Sequence, residues 1–204
     1  MPGLSSFPTD LMNKTAPNRR LNKEEINELP LEYFSGSIHV LESKKDVNKA
    51  CARMQNESIL GFDTETRPAF KKGQFFLPSL VQLAGLDTVY LFRINKCGLP
   101  GSLKSLLANH TIVKTGVAID RDIKDMQKIS DFTPGNFVDL GEVARKKGLH
   151  HHGLRGLAAL LLHFRISKGS RTTNWDAARL TAKQIRYAAT DAWVSREIYC
   201  MLFH

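Results

Sequence analysis

From residue 36 onward, apolar and polar positions follow regular periods. "GSIHVLE" (36–42) alternates with a period of two and predicts a strand. "KKDVNKACARMQ" (44–55) predicts a helix and "SILGFDTE" (58–65) a second strand. "LPSLVQLAG" and "DTVYLFRI" are apolar-rich strands joined near Gly85–Asp87, a hairpin. The rhythm then changes to helices alternating with strands. "GSLKSLLANH" is a helix, "TIVKTG" a strand, "AIDRDIKDMQKI" a helix and "NFVDL" a short strand. "GEVARKKG" is a helix closed by Gly148, "LRGLAALLLHF" an apolar helix, and residues 181–202 a long helix with Thr181 at its N-cap. Strands first, then mixed helix and strand, predict one α/β domain: a mixed sheet flanked by helices. Residues 1–34, with Pro2, Pro8, Pro17 and Pro30 and little periodicity, are expected to form a flexible arm with one helical turn near "NKEEINEL"; the domain is expected over 35–204.

Three places break the apolar pattern with carboxylates. At the end of the second strand, Asp63 and Glu65 are two residues apart and therefore share a face. A strand end reaching water would explain them; so would a cation. In the helix from Ala118 to Ser130, Ile119, Ile123, Met126 and Ile129 mark the apolar face. At about 100° per residue, Asp122 lies roughly 45° from the centre of that face, whereas Asp120 and Asp125 lie roughly 115° and 105° away. In the last helix, Tyr187, Asp191, Val194, Ile198 and Met201 form one stripe, with Tyr187 a turn before Asp191. Buried carboxylates are costly unless paired or metal-bound. Four carboxylates that look inward or share a face together suggest hard oxygen ligands for Mg2+ or Mn2+. A single such ion fits many chemistries, and two adjacent ions fit phosphodiester hydrolysis.

Charge points the same way. The net charge is +9, of which residues 142–204 carry +7, with 11 Lys/Arg against 4 Asp/Glu. This asymmetry favours an anionic partner, nucleic acid first, although a solvated basic face would also produce it. Cys51, Cys97 and Cys200 have neither disulfide-framework nor zinc spacing. No apolar run approaches the roughly 18 residues of a membrane helix, and the N-terminus lacks a basic-then-apolar signal pattern. A cytoplasmic setting is expected, nucleoid-associated in a prokaryote and nuclear in a eukaryote.

"FDTET", "TGVAIDRDI" and "YAATDA" resemble the three motifs of the DEDD 3′–5′ exonucleases. The Tyr-x-x-x-Asp spacing resembles the tyrosine subgroup, which includes ribonuclease D. "VQLAG" and "NWDAARLTAKQIRYAATDA" add a likeness to the Werner-helicase branch. The resemblance spans about residues 36–202 and implies a ribonuclease H-like fold and two divalent cations. By position it implies that Asp63 bridges both ions and that Glu65 and Asp191 complete the catalytic-side ion. Asp122 would hold the other ion partly through water, and Tyr187 would orient the attacking water. The implied reaction removes nucleotides one at a time from a 3′ end, with DNA ranked ahead of RNA. RNA 3′-end trimming and an inactive nucleic-acid-binding protein are the alternatives. No helicase signature is present, so the likeness admits a helicase partner only as a separate protein.

Residues expected to touch substrate are Thr64 and Thr66 in the first motif, Lys71, Lys72, Phe75 and Phe76 in the following loop, and Lys168 and Arg171 before the last helix. A solvated basic turn would equally explain the loop. "HHH" at 150–152 is read as an inter-helix loop rather than a metal site, because successive residues project in different directions. Trp175 is read as a core anchor, and Gln82 as a polar residue satisfied within its strand.

Overall fold

The computed structural model describes residues 19–170 and 172–203. Six strands form one mixed sheet: β1 (Ser37–Leu41), β2 (Ile59–Thr66), β3 (Pro78–Ala84), β4 (Thr88–Phe92), β5 (Val113–Gly116) and β6 (Phe137–Asp139). Their spatial order is β1-β4-β3-β2-β5-β6. β3 is antiparallel to both β2 and β4; the remaining neighbours, β1–β4, β2–β5 and β5–β6, are parallel. β2 is therefore where antiparallel pairing gives way to parallel pairing.

Helices cover both faces, so the central strands are apolar on both sides. Every residue of β3 is buried. Val81 and Leu83 of β3, with Tyr90 and Phe92 of β4, face a core built with α2 (Lys44–Met54), α4 (Gly101–Ala108) and α5 (Asp120–Ile129). The intervening Leu80, Ala84, Val89 and Leu91 face α8 (Ala182–Phe203) and Trp175. Trp175 is fully buried, as a core anchor should be. A third cluster joins α8 to α6 (Leu140–Lys146) and α7 (Leu154–Leu157). Thr181 caps α8 by accepting from Gln184 N at 3.2 Å.

Three local outcomes differ from the sequence expectation. The strand after the hairpin stops at Phe92, and a short helix, α3 (Ile94–Cys97), follows. Arg93 turns the chain because its buried guanidinium donates to Glu42 and to the carbonyls of Ala177 and Ala178. The single helix expected at 154–164 becomes α7 followed by a π turn, Ala158–Leu162, ended by left-handed His163. The wider turn leaves Ala158, Ala159 and Leu160 all buried. The amide of Gln82, expected to be satisfied, is fully buried with no hydrogen-bond partner among the described residues. Its position directly opposite Asp63 in the β2–β3 register faces it toward the crowded α8 side, where its strand neighbours offer apolar surface.

Of the expected arm, residues 1–18 lie outside the described residues. Residues 19–34 are not free. They carry α1 (Lys23–Glu28), whose N-cap Asn22 and Glu25 form a capping box. The segment after α1 is tied down by backbone bonds, Arg165 N to Pro30 O at 2.8 Å and Glu32 N to Arg165 O at 3.0 Å. Phe34 N donates to Thr190 Oγ1 of α8 at 3.1 Å. Among the described residues, no helix is long and apolar enough to cross a membrane.

Candidate active site

The alternation of β2 builds the site. Leu60 and Phe62 point into the core under α2 and α4, so Gly61, Asp63 and Glu65 point to the other face, toward α8. Gly61 lets α8 come close: a Cβ there would lie 1.8 Å from the carbonyl oxygen of Ala192. Ala188, Ala189 and Ala192 keep the facing side of α8 thin. Asp191 is thereby brought against β2. Asp63, Glu65 and Asp191 each offer a carboxylate oxygen within 4.8 Å of the others.

Asp122 arrives from the other side. β5 ends in Gly116, where a Cβ would lie 2.4 Å from Phe62 O, so strand and loop pass close to β2. Ala118 then takes a left-handed conformation, φ 58°, and the N–H of Ile119 is held by Asp139 Oδ2 at 3.1 Å. These features aim the first turn of α5 at the end of β2. Thr64 joins the two: its N–H donates to Asp63 Oδ1 at 2.9 Å and its hydroxyl to Asp122 Oδ1 at 2.5 Å. Asp122 thus sits beside the three clustered carboxylates without being one of them, yet near enough for its charge to act on Asp63.

The electrostatics are those of a site short of positive charge. Burial, then Asp191, then Asp122 drive the pKa of Asp63 well above the carboxylate range. Burial raises Asp191 to about 7, partly offset by the hydrogen bond from Tyr187. Burial also raises Asp122, and the Thr64 hydroxyl opposes that shift. Tyr187 is pushed far up by burial and by Asp191 and Glu65, so its hydroxyl stays protonated and donates. Carboxylates this crowded favour either a shared proton or a cation. An all-oxygen donor set is the kind that hard divalent ions take, so these residues fit a divalent metal.

All five motif residues, Asp63, Glu65, Asp122, Tyr187 and Asp191, line one cleft of about 520 Å3, a volume suited to a small ligand or nucleotide. Of the residues expected to touch substrate, Thr64 and Lys168 also line it. Thr64 spends its hydroxyl on Asp122. Thr66 ends β2 just beyond a register shift and does not line the cleft. Lys71 and Lys72 are exposed in the loop, also outside the lining. Phe75 lies beneath Lys128 and Arg121 of α5, and Phe76 beneath Arg67; neither ring lines the cleft. Arg171 lies outside the described residues. Arg155 lines the cleft without having been singled out from the sequence. Its signal was a lone cation in the apolar run "LRGLAALLL".

A mixed sheet with helices on both faces, carrying at the end of its central strand an acidic cluster that fits a divalent metal, has the ribonuclease H-like architecture. A family model described as 3′–5′ exonuclease matches residues 38–203, and the chain belongs to that family, of the DEDD type. It is 33% identical over 181 residues to the mouse bifunctional 3′–5′ exonuclease/ATP-dependent helicase WRN, covering 84% of this chain and 13% of that protein. It is 29% identical over 215 residues to a 3′–5′ exonuclease of Arabidopsis thaliana, covering 96% of this chain and 74% of the relative. The Nibbler exonuclease domain of Aedes aegypti superposes with a TM-score of 0.73 at 23% identity, over 91% of this chain and 90% of that one. Escherichia coli RNase D gives 0.74 at 20%, over 81% and 44%. Both share the fold.

Proposed function

We propose that the chain hydrolyses DNA one nucleotide at a time from a 3′ end and releases 5′-mononucleotides. The observation that carries this reading is the meeting of Asp63, Glu65 and Asp191 within 4.8 Å, beside Asp122 and Tyr187, in a cleft that also holds Lys168 and Arg155. Asp63, Glu65 and Asp191 would hold one divalent cation and Asp63 with Asp122 a second; bound Mg2+ or Mn2+ would supply charge neutralisation and an activated water.

The chain's own groups do the rest. Tyr187 acts as a donor and not a base: it hydrogen-bonds Asp191, and a phenol of ordinary pKa, about 10, holds its proton at neutral pH. Its hydroxyl fixes Asp191 and orients what lies between it and the scissile phosphate. Thr64 holds Asp63 and Asp122 in register across two elements. Lys168 and Arg155, which line the same cleft as the acids, suit the phosphate oxygens of the bound strand. The likeness to the helicase-linked exonuclease at 33% identity favours DNA. RNA trimming is the second reading, supported by a fold shared with an exoribonuclease.

Digestion of single-stranded DNA, recessed-3′ duplex DNA and RNA, with Mg2+, Mn2+ or EDTA, tests both. Mononucleotides bearing a 5′-phosphate, formed faster from DNA and only with metal, are expected. Faster digestion of RNA would replace the DNA reading with the second one, and cleavage of a closed circle would overturn exonuclease action.

A further inference from the structure

A second cavity, of about 300 Å3, opens beside the cleft. Lys23 and Ile26 of α1, His151, Arg155 and Lys168 line it, and it shares Arg155 and Lys168 with the cleft itself. Two of its seven lining residues, Lys23 and Ile26, lie before residue 38, where the family match begins. We propose that α1 completes a second, basic subsite that takes the backbone phosphate of the substrate strand upstream of its 3′-terminal nucleotide. The proposal rests on the exonuclease reading for its substrate.

α1 is fastened to this wall at both ends. Leu21 N donates to His151 Nε2 at 3.0 Å, and Arg155 Nη2 donates to Asn27 Oδ1 at 2.6 Å. Gly156 gives His151 its place, since a Cβ there would meet His151 Nδ1 at 2.6 Å. Burial and the neighbouring Arg20 and His150 hold the imidazole neutral, as an acceptor must be.

The cations lining the cavity are not tied up in ion pairs. Among the described residues, Lys23, Arg155 and Lys168 make no ion pair with a carboxylate. Arg155 is held by a neutral amide, and its Nε is buried without a partner. Cations gathered in a concave surface and free of direct ion pairs suit a polyanion. A strand whose 3′ end lies among the carboxylates must leave the cleft, and the adjoining cavity is a basic path with Ile26 as apolar floor for a sugar or base.

The test uses the full chain carrying Lys23→Glu, with Lys45→Glu of α2 as a charge-matched control away from both cavities. Glutamate suits the first turn of α1, so the helix should persist. Two quantities are read: affinity for a labelled single strand of about a dozen nucleotides in EDTA, by anisotropy, and the ratio of kcat/KM for that strand to kcat/KM for a dinucleotide, with metal. Lys23→Glu should weaken binding about fivefold, reduce the salt slope by about 0.7 and lower the ratio about fivefold; Lys45→Glu should leave the ratio unchanged. Equal losses in the two variants, or no loss in Lys23→Glu, would overturn the subsite. If the wild type digests neither substrate, the exonuclease reading fails, while the binding measurement still decides the subsite.

Discussion

Asp63 lies between Asp191 and Asp122 in surroundings that burial has already made hostile to charge. Without metal, that arrangement costs stability. Asp63→Asn should therefore raise the melting temperature of the metal-free protein, by roughly 0.5–2 kcal/mol of stability, while abolishing turnover. The sign with pH follows from the raised pKa values. The folded protein holds protons that the unfolded chain releases near the ordinary carboxylate range, so the metal-free fold loses stability as pH rises toward about 7, where Asp191 titrates. The advantage of Asp63→Asn should accordingly be larger at pH 8 than at pH 5, as thermal melts in EDTA would show. Tyr187→Phe removes a donor to a carboxylate, and kcat should fall about tenfold to a hundredfold. Its pH–rate profile should keep the wild-type shape below about pH 9, because a tyrosine of ordinary pKa, about 10, is no base there; loss of a limb in Tyr187→Phe would instead assign it a general-base role. Periodicity alone selected Asp122 over Asp120. It misjudged Asp125, which helical phasing set well off the apolar face but which is buried, held by Lys128 at 2.7 Å and Arg121 at 3.5 Å. Phasing measures direction from a helix axis and is blind to an ion pair that makes burial tolerable.

Between elements, the decisive contact is the close approach of β2 and α8, and it depends on Gly61. Nothing in the period-two pattern of "SILGFDTE" distinguishes this glycine from an ordinary small residue. Its role exists only once a helix from 130 residues further along packs on it. Gly61→Ala would set a methyl 1.8 Å from a backbone carbonyl that cannot rotate away. α8 would have to shift, taking Tyr187 and Asp191 with it. A loss of roughly 3 kcal/mol in denaturant unfolding is expected, with activity reduced even where the variant remains folded. Most element boundaries were readable because amphipathic periods report which face is covered. The strand order β1-β4-β3-β2-β5-β6 was not, since pairing is decided by long-range packing. The exceptions at Arg93 and at the π turn likewise rest on contacts between residues distant in sequence or on a local change of helical pitch.

For the whole molecule, the charge asymmetry visible in composition acquires a location. Part of the basic C-terminal third, Arg155 and Lys168, lines the cleft that holds the acidic cluster. On the proposed function, a substrate strand would be held by these cations around a site that itself repels it until metal is present. Binding of single-stranded DNA should weaken steeply with salt, with a log–log slope of about −0.7 for each phosphate engaged. It should also strengthen when Ca2+ replaces EDTA, as titrations at two or three ionic strengths would read. The central claim is that Asp63 and its partners form a metal-dependent site acting at a 3′ end. The most direct measurement is a time course on a 5′-labelled single-stranded DNA with Mg2+, comparing the wild type, the wild type in EDTA and Asp63→Ala. The account predicts a ladder shortening one nucleotide at a time from the 3′ end for the wild type alone, with folded but inactive Asp63→Ala. Undiminished digestion by Asp63→Ala, or an undiminished ladder in EDTA, would contradict it.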